Sequence, residues 1–356
     1  MTVAAATDTG PATLGGVYGG RADRARPATE GQRGEPAPTR EGIPVEVARG
    51  ITAIDTRMAG RSLVTSAYLV RAEEPVLIET GPSTSAEAVR RGLGELGVGP
   101  GDLPHIVVTH IHLDHAGGAG TLARAFPAAT IWVHERGAPH LADPTRLVAS
   151  TARVYGEERM RALFGDVEPV PADRIRALAD GDRLRLGGRA LEVLHTPGHA
   201  SHHLALQDDA TGSVFVGDAL GVHLPDVRVL RPATPPPEFD LELAVESVGR
   251  IRSRARGALL LSHFGPAEEV EALCDLAVHR MRAWAAEVRD ALDRTEDLDE
   301  ITRLLERLAA DDLRTDLGEP PDPRLDLERY EILAGARINA SGLVRYWRKR
   351  AEAQPS

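Results

Sequence analysis

The stretch that most constrains this chain is Thr109-His110-Ile111-His112-Leu113-Asp114-His115-Ala116-Gly117-Gly118. It packs three histidines and an aspartate into six residues, directly after the apolar run Ile106-Val107-Val108. That run is continuous rather than alternating and largely β-branched, so it predicts a short strand buried on both faces. The two glycines then remove side chains where the backbone must pass close to something and restart as a helix. Neutral imidazole and carboxylate are the ligands that a borderline divalent ion such as zinc takes. A strand end followed by a tight turn can aim His110 and His112 at one point. The same turn can aim Asp114 and His115 at a second point beside it. The alternative is a polar loop that happens to be rich in histidine, and four ligand-type side chains this close weigh against it.

Three later segments carry the same chemistry. His199 closes His195-Thr196-Pro197-Gly198-His199, and Asp218 closes Val214-Phe215-Val216-Gly217-Asp218. His263 follows Leu259-Leu260-Leu261 in Ser262-His263-Phe264-Gly265. Together with H-x-H-x-D-H these segments resemble, in order and context, the signature of the metallo-β-lactamase-fold hydrolases. The resemblance covers about residues 43 to 266. It implies a four-layer α/β sandwich, helix–sheet–sheet–helix, with metals at one sheet edge. It also implies the ligand set: His110, His112 and His199 on one ion, Asp114, His115 and His263 on a second, and Asp218 bridging. Two divalent ions follow, zinc first, with iron or manganese as alternatives, and Asp114 and Asp218 acquire the catalytic role. The family often has D-T-G after its second strand pair, where this chain has Glu79-Thr80-Gly81. That position usually supports ligands from behind, so the change bears on their orientation rather than on metal binding.

The remaining chain is read around that core. At 356 residues, one large or two domains are expected. Residues 1–42 are rich in Ala, Gly, Pro and Arg without apolar periodicity, which predicts a disordered extension. They hold no apolar run of the kind a secretory signal needs. Residues 43–266 alternate short strands with helices, as at Ser66–Val70, Val76–Ile78, Ala86–Leu96 and Ile131–His134, which predicts a layered α/β domain. Residues 135–180 are less regular, with helical stretches around Leu147–Leu163, and place His140 and Tyr155 as candidates for a pocket wall.

After Gly265 the pattern is helical, giving a C-terminal helical domain over 267–356. Val270, Leu273, Ala277, Met281, Trp284 and Val288 form one stripe, which needs either the catalytic domain or another copy of the chain as partner. A second helix starts at Asp297-Leu298-Asp299-Glu300, and a third spans about Leu325–Trp347, interrupted by Gly335 and Gly342. Such an appendage resembles hydroxyacylglutathione hydrolases and related thioesterases, where it helps build the substrate site. Arg345, Arg348, Lys349 and Arg350 could meet a phosphate-bearing substrate, though a solvated helix end explains them as well.

Composition excludes partners rather than naming one. A net charge of −11 argues against nucleic acid or an anionic membrane surface. No run of about 18 apolar residues predicts a membrane span. The single cysteine, Cys274, excludes an internal disulfide, fits a reducing cytoplasm and reads as a core thiol. His202, His203 and His195 are candidates for orienting ligands, and His223 for touching substrate. The expected function is hydrolysis of an ester-type bond in a small acyl substrate, a thioester first, by a hydroxide held between two ions. A lactonase with the same ligands is the alternative. A mononuclear iron thiol or persulfide dioxygenase is a third reading, and needs only one His-His-Asp set.

Overall fold

The computed structural model describes residues 44–224, 226–317 and 325–353. The extension expected over 1–42 lies outside the described residues. Seven strands form a first sheet in chain order: Val45–Ala48, Ile51–Asp55, Ser66–Val70, Val76–Ile78, His105–Val107, Thr130–His134 and Ile175–Leu178. The first four pair antiparallel and the last four parallel. A second sheet has the order Gly265–Ala267, Leu259–Leu261, Val214–Gly217, Leu204–Asp208, Ala190–His195, Arg183–Arg185. Only the pairing of Val214–Gly217 with Leu259–Leu261 is parallel in it.

The period of two along each strand sorts side chains into layers. Ile51, Ala53, Tyr68, Val70, Ile78 and Val107 face Leu191, Val193, Leu204, Leu206, Phe215 and Leu260 between the sheets. The alternate residues Ile54, Leu69, Leu77, Ile106 and Ile131 pack outward, with Val89 and Leu93 of the helix Ala86–Glu95 and Leu122 of the helix Ala119–Ala125. On the other side, Leu194, Ala205, Val214, Val216, Leu259 and Leu261 pack against the helices Leu241–Arg254, Val270–Leu292 and Leu298–Leu317. The expected helix–sheet–sheet–helix sandwich is therefore present, and its strands read as continuous apolar runs because both faces are buried.

The stripe Leu273, Ala277, Met281, Trp284 and Val288 lies in one apolar cluster with the second sheet and the helix Leu241–Arg254, which is its nearest packing partner, so the stripe is covered by the chain itself. The third tail helix departs from expectation. Gly335 does separate Glu328–Leu333 from Ala336–Ala353, but Gly342 lies inside the latter helix. A Cβ there would stand 1.8 Å from the Thr234 carbonyl oxygen, so the glycine permits close approach rather than breaking the helix. Ile175–Leu178 was not expected as a strand: it is an edge strand with only Leu178 buried, and so lacks a clear apolar alternation.

One buried ion pair fixes the hairpin ends of the second sheet. Arg189 meets Asp208 through two hydrogen bonds, of 2.6 and 2.8 Å, and Thr211 donates twice more to the same carboxylate. Burial pushes the Asp208 carboxyl up, but Arg189 and Thr211 outweigh it and hold the group below its usual range. Asp208→Asn is expected to lower unfolding free energy by about 3 kcal/mol at neutral pH, because it strands a buried guanidinium. A depressed folded-state pKa contributes stability above the unfolded value, so the gap between variant and wild type should narrow below about pH 4. Denaturant unfolding of both proteins against pH measures this; a gap independent of pH would refute it.

Candidate metal centre

All seven ligand-type residues follow strands of the two sheets, Asp114 and His115 on the short helix Leu113–Ala116 and the other five on loops. His110, His112, Asp114 and His115 follow His105–Val107; His199 follows Ala190–His195; Asp218 follows Val214–Gly217; His263 follows Leu259–Leu261. The ligand turn is fastened to the loop Glu79–Gly81. Thr80 donates its N–H and hydroxyl to the His115 carbonyl, at 2.9 and 2.7 Å, and Gly118 N–H donates to Gly81 O at 2.9 Å. A Cβ on Gly118 would sit 3.1 Å from Thr80 O, which is the close passage the glycine pair foretold.

The side chains gather into two trios. His110, His112 and His199 form one, Asp114, His115 and His263 the other, with the donor atoms of each within 4.8 Å of one another. In the first, His112 Nδ1 lies 3.0 Å from His110 Nε2 and 2.9 Å from His199 Nε2. Asp218 spans both: its Oδ2 is 3.5 Å from His199 Nε2, and its Oδ1 is 3.3 and 3.2 Å from His115 and His263 Nε2.

The outer nitrogen of each imidazole explains why the inner ones face inward with free lone pairs. His199 Nδ1 donates to Ala233 O and His263 Nδ1 to Val64 O, each at 3.1 Å. His115 Nδ1 donates to Glu79 Oε1 at 3.2 Å, and His110 Nδ1 to the Thr109 hydroxyl at 3.0 Å. A donor bond at one ring nitrogen fixes the proton there and leaves the other as a ligand. Glu79 also accepts from Thr109 Oγ1 at 2.5 Å and Ser262 Oγ at 3.0 Å, so one carboxylate braces two ligand segments, the His110–His115 turn and the His263 turn, from behind. A third trio, Glu79 with His110 and His115, shares ligands with the other two. Its carboxylate is committed to the bracing bonds.

The electrostatics divide along the same line. Burial, then neighbouring imidazoles, drives His110 far below its usual range and His112 to about 4; burial also lowers His199. Burial lowers His115 and His263 too, but Asp218 and Asp114 outweigh it and both histidines rise. Against the upward push of burial, the facing histidines take Asp114 down to about 2 and hold Asp218 well below the carboxylate range. His115 Nε2 and Asp218 Oδ1 are buried and make no hydrogen bond. Orphaned donor-set atoms aimed at one another are costly unless something cationic sits between them. The residues therefore fit a pair of divalent ions.

A cavity of about 240 Å³ opens over the trios. His112, Asp114, His199 and Asp218 form its floor. Leu147, Thr151, Val154 and Tyr155 of the helix Thr145–Tyr155 form one wall, with His140 beside them. Pro235-Pro236-Pro237 and the tail residues Leu333, Ala334, Ile338 and Asn339 form the opposite side. Asn339 is buried and accepts from Thr234 N–H at 2.7 Å, donating in turn to Pro232 O and Ala334 O. His140 and Tyr155 are the two wall candidates expected from the sequence, and both line the cavity; the other wall residues carry no sequence signal of a site, apart from the visible run of prolines.

Other candidates fall elsewhere. His203 is buried, accepts from Asp218 N–H at 3.0 Å and meets Thr196 Oγ1 at 2.8 Å, so it holds the Asp218 turn. His202 lines the cavity, its Nε2 3.7 Å from Glu238. His195 stacks on His134 with ring centroids 4.5 Å apart. His223 does not line the cavity; it belongs to the ribbon Val222–His223/Leu230–Arg231. Arg345, Arg348 and Arg350 bond Pro237 O, Glu296 and Glu242, and neither they nor Lys349 line the cavity. Cys274 is buried in the tail core.

A two-sheet sandwich with paired ligand trios at the strand ends defines a class of metal-binding α/β proteins. The chain belongs to the metallo-beta-lactamase superfamily, whose sequence pattern matches residues 60–263, more than half of it. It is similar to a metallo-beta-lactamase fold-containing protein of Sulfurisphaera tokodaii, 29% identical over 153 residues, 42% of this chain and 55% of that protein. A hydroxyacylglutathione hydrolase of Aeromonas hydrophila is 31% identical over 153 residues, covering 43% and 45%. The matched stretch thus spans about half the length of these two curated relatives. Among solved structures, an archaeal superfamily protein from Sulfolobus tokodaii superposes with a TM-score of 0.58 at 20% identity, covering 85% of this chain and 99% of that one. A Thermus thermophilus family protein gives 0.59 at 21% identity, covering 86% and 95%. At such identities the likeness is one of fold.

Proposed function

We propose that the chain is a two-metal hydrolase that cleaves an ester-type bond, a thioester before others, in a small acyl substrate. One observation carries the reading: Asp218 presents one carboxylate oxygen to each of two trios. His110, His112 and His199 would hold one ion, Asp114, His115 and His263 the other, with Asp218 shared. Bound divalent ions, zinc, iron or manganese, would supply Lewis acidity and bring a water towards ionisation near neutral pH. The protein's own part is to bind and place. Asp114 lines the cavity and is held ionised, so its carboxylate would take the proton of the attacking water while its Oδ2 faces His115 and His263. Leu147, Val154, Leu333 and Ile338 exclude water from the acyl group.

The dioxygenase reading needs one trio, and the second is present beside it. The relatives named hydroxyacylglutathione hydrolase support the thioester choice. Lactone cleavage remains the runner-up on the same geometry. Among the described residues no helix is long and apolar enough to cross a membrane. With a net charge of −11 and one buried thiol, the reading places the enzyme in the cytoplasm, acting on neither nucleic acid nor membrane.

Purified protein is expected to carry about two divalent ions per chain and to hydrolyse at least one acyl thioester or lactone. Elemental analysis with a hydrolysis screen over acyl thioesters, lactones, and phosphate and sulfate esters tests this. One iron per chain, with no second metal and no hydrolysis, would sink it.

A further inference from the structure

Three of the four described tyrosines donate their hydroxyls to protein oxygens: Tyr68 to Leu261 O, Tyr330 to Val229 O and Tyr346 to Glu242. Tyr155 is the exception, for its hydroxyl makes no hydrogen bond with any described residue. It ends the helix Thr145–Tyr155, just before Gly156 at φ 80°, and lines the cavity above Asp114 and Asp218. The ring is fixed rather than loose. It packs edge-on against Phe164, centroids 5.2 Å apart at 81°, with the Arg159 guanidinium 5.9 Å from its centre.

Tyr155 is half-buried, so its hydroxyl is left to the cavity and is free to donate to a ligand there. Burial, then the charges of Asp114 and Asp218, push its proton affinity up, so the hydroxyl stays a donor through the working pH range. The wall beside it is apolar at Leu147, Val154, Phe164 and Ile338, and two of the other lining hydroxyls are already committed, Thr151 to Leu147 O and Thr234 to Asn339 O. Arg146, Ser150, His140 and His202 are further donors on the lining.

We propose that Tyr155 is a catalytic residue that donates its hydroxyl hydrogen to the substrate's carbonyl oxygen and holds that oxygen as it becomes an oxyanion. This rests on the hydrolase reading for its substrate, but not on the choice of thioester over lactone. A fixed donor aimed at developing charge stabilises the transition state more than the ground state.

The test is Tyr155→Phe, which keeps the ring on Phe164 and removes only the donor. With metal content equal to wild type, kcat should fall about 100-fold while KM changes little. Because the oxyanion forms whatever departs, the loss should be the same for aryl and alkyl thioacetates. A loss confined to the alkyl substrates would mean leaving-group protonation and overturn the assignment, as would a wild-type kcat. Should the phenylalanine variant lose metal, Tyr155→Leu is read in its place. A second readout is independent of turnover: phenylphosphonate, which presents tetrahedral anionic oxygens, should bind the zinc-loaded variant about tenfold more weakly than wild type. Wild-type protein that cleaves no ester yet shows this difference would sink the hydrolase reading and leave Tyr155 as an oxyanion donor. Equal phosphonate affinity would sink the Tyr155 assignment alone.

Discussion

Asp218→Ala is expected to empty both trios and bring hydrolysis down to background. Among the described residues, this carboxylate is the one group that faces both His199 and the His115–His263 pair. Its negative charge is also the largest influence raising the proton affinity of those two buried histidines. On the two-ion reading, alanine would remove a ligand from each ion and the anion that offsets their charge. His203→Ala is the comparison, since His203 holds only the Asp218 backbone; it should cost about 10–100-fold in activity or metal affinity. Elemental analysis and rates on both variants decide the matter. An Asp218→Ala protein with both metals and wild-type turnover would mean the ligand assignment is wrong.

Deletion of everything after Ala267 should have the other large effect, and the structure sets its kind. Leu273, Met281, Trp284 and Val288 are buried in one cluster with Val214, Val216, Leu259 and Leu261. Stripping those four side chains from the shared core forfeits about 1.5–3 kcal/mol each, together comparable to a whole domain's stability of about 5–15 kcal/mol. The shortened chain should therefore be insoluble or unfolded, and its loss of activity would say nothing about the pocket. A folded, metal-loaded truncation would contradict the packing. Pocket roles in the tail are better read through Ile338, which lines the cavity without belonging to that cluster.

Much of the molecule was legible because two different signals were strong. Runs such as Ile106-Val107-Val108 and Leu259-Leu260-Leu261 are apolar without a break because alternate residues serve alternate layers, so they announce strands buried on both sides. The ligands were legible because each sits within a turn or so of such a strand end, and the seven meet. Apart from His140 and Tyr155, the cavity walls were not. Pro235, Leu333, Ile338 and Asn339 come from loops and tail helices whose local pattern fits any solvent-facing segment, and only the tertiary path brings them to the cavity floored by His112, Asp114, His199 and Asp218. The partner of the tail stripe was open for the same reason. Apolar side chains recurring at helical spacing say that a face is buried, and not against what. Gly342 misled because a helix-breaking residue and a close-contact residue are the same letter, distinguished only by the Thr234 carbonyl beside it.

The placement of the ligands on two sheets has a mechanical consequence. His110, His112, Asp114 and His115 hang from the first sheet, whereas His199, Asp218 and His263 hang from the second. On the two-ion reading each ion would draw donors from both sheets, and the pair would act as a clasp closing the seam where the sandwich opens onto the cavity. Ions that bind only the closed arrangement stabilise it by mass action, about 4 kcal/mol when free metal exceeds its dissociation constant a thousandfold. Chelation should therefore do more than stop turnover. It should part the open edge of the sandwich first, where Tyr68 and Ser66 bond across to Leu261 and Ser262, while the far edges of the two sheets stay packed.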